Sequence, residues 1–205
     1  LKKDIVINSI ITIHYFEYMK DFVFQGESHD FWEFLYVDKG SVIVQSGEEH
    51  LLLNTGDIIF LAPNEFHSIR SVGNASPNLV VMSFISHSPS MNFFQKKRCT
   101  LNMEERTLVS HLLSIARETL ATPLNLPSIE QVKLKDKISF GSEQLILLYL
   151  ELFLITVARN HKGKDDIAPK SPPKISPERA LSKSERTTKI IQYLEYHICE
   201  HLTLS

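Results

Sequence analysis

The sequence predicts an α+β chain in which a small β-barrel comes first and two or more α-helices follow. Three observations carry this reading. From residue 5 to about residue 86, β-branched and aromatic residues run in short stretches broken by turn signals, the pattern of an all-β barrel or sandwich. Beyond Pro89 the apolar spacing changes from every second residue to the helical period of about 3.6. The composition, with 43% hydrophobic and 22% charged residues over 205 positions, is that of a globular chain able to bury a core.

The elements follow in order. A strand over 31–37 turns at Asp38-Lys39-Gly40, and 42–44 meets 51–53 across Ser46-Gly47-Glu48. Asn54-Thr55-Gly56-Asp57 leads into a strand over 58–61, and two more strands, near 68–72 and 79–85, flank a polar turn at 73–78. A helix over 104–121 sets Leu108, Leu112 and Ile115 beside Val109, Leu113, Ala116 and Leu120, and Pro123 ends it. A second helix, over 142–160, carries two apolar seams: Leu145, Leu148, Leu152 and Ile155 on one, Ile146, Tyr149, Phe153 and Val157 on the other. Two seams need two packing partners, so Leu145, Leu148, Leu152 and Ile155 are expected to face a second copy of the chain in a homodimer.

Residues 162–183 are rich in Lys, Asp and Pro and read as a linker. Over 184–205 helical spacing resumes through Ile190, Ile191, Leu194, Ile198 and Leu202, with Ser184 as a cap. One helix cannot bury that stripe alone, so a further partner for it is expected. The expected organisation is therefore a barrel over 1–90, a helical dimerisation segment over 91–161, a linker over 162–183 and the first helix of a further domain over 184–205.

A net charge of −2 lacks the basic excess that accompanies direct phosphate contact, so tight DNA binding is not expected of the chain as given. Cys99 and Cys199 lie far apart, which suits reduced thiols in a cytoplasmic protein. No cleavable leader is expected, and the most apolar run, 145–158, carries Glu151 and is too short to cross a bilayer. A membrane partner is not expected.

The residues that can carry chemistry concentrate in Gly26-Glu27-Ser28-His29-Asp30-Phe31-Trp32-Glu33, ending at Gly40, and in Gly56-Asp57 through Pro63 to His67. These two stretches resemble the signature motifs of the cupin barrel, which implies a double-stranded β-barrel followed by the helices. Glu27, His29, Glu33 and Gly40 fall at the places of the first motif, with Glu27 where its first histidine would stand. Gly56 and His67 keep the separation of the second, while Pro63 sits one place late and Asn64 stands where the motif has glycine.

Strand alternation over 27, 29, 31 and 33 would turn His29 and Glu33 into the barrel together, with Phe31 and Leu35 on the same face. Trp32, of opposite parity, should face outward or towards a helix. His29, Phe31, Glu33, Leu35 and His67 are therefore the candidate contacts for a small-molecule effector. Glu27, His29, Glu33 and His67 also form an alternative metal set suited to Fe(II), Mn(II), Zn(II) or Ni(II). Carboxylate in place of the first imidazole weakens selective binding of such metals, so the expectation is no cofactor. The other histidines, His14 and His161 among them, show no spacing suggestive of catalysis.

A closer resemblance covers His29-Asp30-Phe31-Trp32-Glu33-Phe34-Leu35-Tyr36-Val37-Asp38-Lys39-Gly40, then Gly56-Asp57-Ile58-Ile59-Phe60-Leu61-Ala62-Pro63 and His67. It is similar to the sensor domain of the AraC/XylS family of bacterial regulators. The tail from Ile190 to Ser205 resembles the opening helix of that family's DNA-binding domain. The resemblance implies a non-enzymatic cytoplasmic homodimer that senses a small-molecule effector and binds promoter DNA through helix-turn-helix units beyond the sequence given. The rival reading is a metal-dependent cupin enzyme of dioxygenase or isomerase type.

Overall fold

The computed structural model describes residues 1–72 and 76–163. The linker from residue 164 onward, the expected helix over 184–205 and Cys199 lie outside the described residues. Two antiparallel sheets face each other. One runs in the order β1 (Ser9–Glu17), β8 (Asn78–Ile85), β3 (Trp32–Lys39), β6 (Asp57–Leu61) and β9 (Arg98–Thr100). The other runs β2 (Val23–Glu27), β7 (His67–Ser71), β4 (Ser41–Ser46) and β5 (Glu49–Asn54). Helices α1 (Met103–Thr119) and α2 (Ser142–His161) follow. The fold is α+β, with a cupin-like double sheet preceding helices, as the sequence predicts.

Period-two alternation on β3 divides the core in two. Leu35 and Val37 point between the sheets, where they meet Val42, Val44, Leu51, Leu53, Ile59 and Leu61. Trp32, Phe34 and Tyr36 point the other way, into a second cluster shared with both helices. Trp32 thus faces the helical layer. Phe153 of α2 lies 5.5 Å from Phe34, ring to ring, and both are fully buried. Burying side chains of this size stabilises a fold by about 1.5–3 kcal/mol each. The helices are held to the sheet by this apolar layer.

Residues 91–101 belong with the sheet. The 3-10 helix Pro89–Phe94 buries Met91 and Phe94, and β9 pairs with β6 at Asp57, Ile58 and Ile59. No separate core begins at residue 91; α1 and α2 share the outer cluster of the five-stranded sheet.

Gly56 anchors this corner. Its N–H donates to the Val37 carbonyl, its own carbonyl accepts from Leu101 N, and its φ of +96° lies in the left-handed region that favours glycine. An added Cβ would stand 2.3 Å from Nη2 of Arg106. Gly56→Ala is expected to lower stability by about 1–2 kcal/mol in a urea melt, chiefly through backbone strain.

The two seams of α2 separate as the sequence suggests. Ile146, Phe153 and Val157 are buried together with Leu150 and Leu154. Leu145, Leu148 and Leu152 are 40%, 48% and 48% exposed. Ile155, expected on the outer seam, is instead half-buried against the core. Among the described residues no helix is long and apolar enough to cross a membrane.

Candidate functional site

The four residues singled out by the motifs come together, by a route that strand alternation did not foresee. β2 ends at Glu27 and β3 begins at Trp32, so His29 and Phe31 lie on the connecting segment between the two sheets rather than on one strand. A register break in β2 between Phe24 and Glu27 and the left-handed φ of +108° at Gly26 turn the chain out of the sheet. A Cβ at Gly26 would stand 2.6 Å from the His67 carbonyl oxygen, so the approach of β2 to β7 there requires glycine. The segment is then held by Asn64 N donating to the His29 carbonyl at 2.6 Å.

Glu27 and His67 are register partners across β2 and β7, while Glu33 comes from the facing sheet. One ligand atom from each of Glu27, His29, Glu33 and His67 lies within 4.8 Å of the others. Nε2 of His67 is 3.4 Å from Glu33 Oε1 and 3.8 Å from Glu27 Oε1, and Nε2 of His29 is 3.7 Å from Glu33 Oε2. Phe31 does not join the interior side chains. Its ring stacks on that of His29 at 3.8 Å, and its carbonyl lies 3.0 Å from His29 Nδ1. Leu35, fully buried, belongs to the packed apolar interior.

Both imidazoles are oriented by backbone. A carbonyl oxygen only accepts, so His29 Nδ1 donates to Phe31 O, and His67 Nδ1 donates to Glu65 O at 3.1 Å. In the neutral rings Nε2 then presents a lone pair, and neither Nε2 has a hydrogen-bond partner although both are buried. Glu33 is held from below by the Ser83 hydroxyl, which donates to Oε2 at 2.7 Å and itself accepts from Thr12 at 2.9 Å.

Burial by itself would raise the pKa of Glu33; the pull of the nearby His29 and His67 imidazoles and the hydrogen bond from Ser83 outweigh it and hold the carboxyl at about 2. Burial pulls His67 down, and the Glu33 carboxylate, the Glu65 carbonyl and Glu27 more than reverse it, so its pKa is raised. Glu27 is raised by burial and by repulsion from Glu33, against the pull of His29 and His67. His14, buried beside this group on β1, is lowered by burial, with Glu33 and the Ile129 carbonyl opposing. Its Nδ1 is a third buried nitrogen without a partner.

Thr12, His14 and Ser83 were not singled out by the motifs. The signal for the first two was present: β1 alternates Thr12, His14 and Phe16, and Phe16 faces the interior together with Tyr18 just past the strand. Polar residues sharing that parity need an internal reason.

The donor set fits a divalent cation. Two lone-pair nitrogens fixed by Nδ1–H···O=C bonds, together with two carboxylates, match the way metal-binding histidines are oriented by their second nitrogen. Glu27, His29, Glu33 and His67 would hold the ion. Two surface cavities lie elsewhere: one of about 330 Å³ sits between α1 and the five-stranded sheet, and one of about 550 Å³ borders Ser46, Ala62, Glu65, Phe66 and Lys96. Beneath the four-residue cluster the space between the sheets is filled by side chains.

Similar solved structures, all at low identity, include proteins described as cupins. A protein described as a predicted oxalate decarboxylase from Thermotoga maritima is 18% identical, with a TM-score of 0.37 over 38% of this chain and 69% of that one. The cupin domain of Cnp3 from Schizosaccharomyces pombe is 9% identical, with a TM-score of 0.36 over 38% of this chain and 55% of that one. A cupin superfamily protein from Desulfitobacterium hafniense is 13% identical, with a TM-score of 0.35 over 38% of this chain and 70% of that one. No curated protein matches the chain. Residues 11–84 match the family model of the AraC-like ligand binding domain, and that stretch contains all four clustered residues with Thr12, His14 and Ser83.

Proposed function

We propose that this chain is the effector-sensing and dimerisation part of an AraC-type DNA-binding transcription regulator. The observation that carries the reading is a buried polar cluster with unpartnered imidazole nitrogens inside the stretch that matches a ligand-binding domain. Buried polar atoms without partners cost free energy, and a ligand that supplies the missing hydrogen bonds recovers it. The effector binds at the Glu27, His29, Glu33 and His67 end of the barrel, through polar groups that meet the two Nε2 atoms and the carboxylates. Because the space below is packed, a ligand entering deeper displaces side chains such as Leu35.

DNA contact falls to helix-turn-helix units beyond the sequence given, and the protein works in the cytoplasm without an enzymatic activity of its own. The exposed Leu145, Leu148 and Leu152 stripe faces a second copy. Leu148→Glu, at a half-exposed position, is expected to shift a dimer to monomer in sedimentation velocity without unfolding it.

The test of sensing is a thermal-shift screen of the protein against sugars, organic acids and amines. A specific effector raises the melting temperature by mass action, and His67→Ala abolishes the rise. A screen in which every hit is retained by His67→Ala removes the site from the reading.

One observation favours the second reading, a metal-dependent cupin enzyme: the orphaned Nε2 atoms are also what a divalent cation requires. A bound cation would supply Lewis-acid or redox chemistry at this cluster. Elemental analysis of the purified protein separates the two. Stoichiometric metal supports the enzyme reading, whereas effector binding that survives chelation supports the sensor.

A further inference from the structure

The groove under α1 lies on the outer face of the five-stranded sheet, away from the Glu27, His29, Glu33 and His67 cluster, and its lining has the features of a binding site. Its floor is a single cross-strand row: Tyr15 on β1 is the register partner of Val80 on β8, and Val80 is that of Tyr36 on β3. The groove opens above this row, between it and α1. Val80 and Tyr36 are buried at the base of the groove, as Ile13, Met82 and Phe34 are in the neighbouring row, and Tyr15 is the partly exposed member of the floor. The roof is one face of α1, where Ser110 and Ser114 keep the space open. The hollow measures about 330 Å³, within the usual size of small-molecule pockets.

Its chemistry is cationic at both ends. Arg106 and Arg117 lie eleven positions apart, three turns along the same face of α1, and both line the groove. The Arg117 guanidinium sits 5.4 Å from the Tyr15 ring centroid and has no carboxylate partner among the described residues. Arg106 spends its Nε–H on the Leu101 carbonyl, at 2.9 Å. The one acidic group in the lining, Asp38, already accepts the Tyr15 hydroxyl at 2.9 Å. The Tyr36 hydroxyl has no hydrogen-bond partner among the described residues. Val80, Val109 and Leu113 supply an apolar wall.

We propose that this groove is a second small-molecule site, for an organic carboxylate with a flat apolar body. The carboxylate meets Arg117, with Arg106 and the Tyr36 hydroxyl adding positive potential and a donor. The body lies in the groove along Tyr15 and Leu113, the partly exposed members of the lining, with the Tyr15 ring available for stacking. An arginine exposed at the mouth and an apolar hollow behind it select for charge at one end of the ligand only. This site does not depend on the regulator reading, and it stands whether or not the barrel cluster holds a ligand or a cation.

The test uses the full chain and 2-naphthoate, with 2-naphthamide as the neutral counterpart. Naphthoate is expected to bind saturably by its fluorescence, with NMR shifts centred on Tyr15, Tyr36, Val80 and Leu113. The amide should bind about tenfold more weakly, and Arg117→Ala should weaken naphthoate by a similar factor. Ser114→Phe, a change at an exposed helix position, plugs the hollow and should abolish binding while leaving the melting temperature within a few degrees of wild type. Absence of saturable binding, equal affinity for acid and amide, binding retained in both variants, or shifts centred on His29 and His67 would each overturn the proposal.

Discussion

Glu105→Ala is expected to destabilise the protein by about 3 kcal/mol, because one buried carboxylate closes two helix ends at once. Glu105 is fully buried. Its Oε2 accepts the N–H of Asn102 at 2.7 Å, and Asn102 Oδ1 accepts the N–H of Glu105 at 3.0 Å, which completes a capping box at the start of α1. Its Oε1 accepts from Asn160 Nδ2 at 3.0 Å and lies 3.1 Å from His161 Nε2, both in the last turn of α2. Loss of the cap alone costs about 1 kcal/mol. Hydrogen bonds to a charged group add about 1.5–3 kcal/mol each, and these do not sum fully because the partners share one acceptor.

Urea denaturation measures the total. Amide exchange shows where it is lost: protection should fall at residues 102–106 and 157–161 before the sheet opens. Glu105→Gln keeps an acceptor and should cost about half as much, while the exposed Glu104→Ala should stay within about 0.5 kcal/mol of wild type. A loss equal to that of Glu104→Ala would show that the two helix ends are held by apolar packing alone.

This clamp was legible in part. Asn102 followed three residues later by Glu105 is a capping-box spacing, and it marks a helix start at Met103, one residue before the 104 expected from apolar periodicity. What no local pattern shows is that the same carboxylate reaches Asn160 and His161, more than fifty residues away, so His161 showed no spacing that singled it out. The barrel was legible for the opposite reason. Turn residues and period-two alternation are local, and they fixed the strands around Gly40, Gly47 and Gly56.

The site lies between these cases. Motif spacing brought out Glu27, His29, Glu33 and His67, but one continuous strand through 27–33 was the wrong vehicle, and it misplaced Phe31. His14 and Ser83 join the cluster only through the register of β1, β8 and β3, a property of sheet order that no short window of sequence contains. The groove above Tyr15 and Tyr36 has the same origin.

Glu33→Gln should separate from wild type in a pH-dependent way, and the sign follows from the charges around it. In the folded protein the Glu33 carboxyl is held at about 2, below its ordinary value of 4.5. A depressed carboxyl contributes stability that is present above the unfolded pKa and is lost as pH falls through the folded one. That difference corresponds to about 3 kcal/mol. His67 works in the opposite sense: its pKa is raised above 6.5, so its contribution is complete below that value and is lost as pH rises through the folded pKa.

Their mutual attraction is therefore greatest between about pH 4.5 and pH 6.5. Wild-type stability in that window also carries opposing contributions from His14, which resists protonation, and Glu27, which resists ionisation. Subtracting the Glu33→Gln profile isolates the Glu33 part. With chelator present, the gap between wild type and Glu33→Gln should be about 3 kcal/mol near pH 6 and should close as pH falls through about 2, where the Glu33 carboxyl takes up its proton. It should also narrow on the alkaline side, once His67 loses its proton and Glu33 faces neutral imidazoles. Chemical denaturation at a series of pH values measures it. A gap that stays constant from pH 2 to pH 6 would mean that shape and packing, rather than charge, are what Glu33 contributes to the end of the barrel.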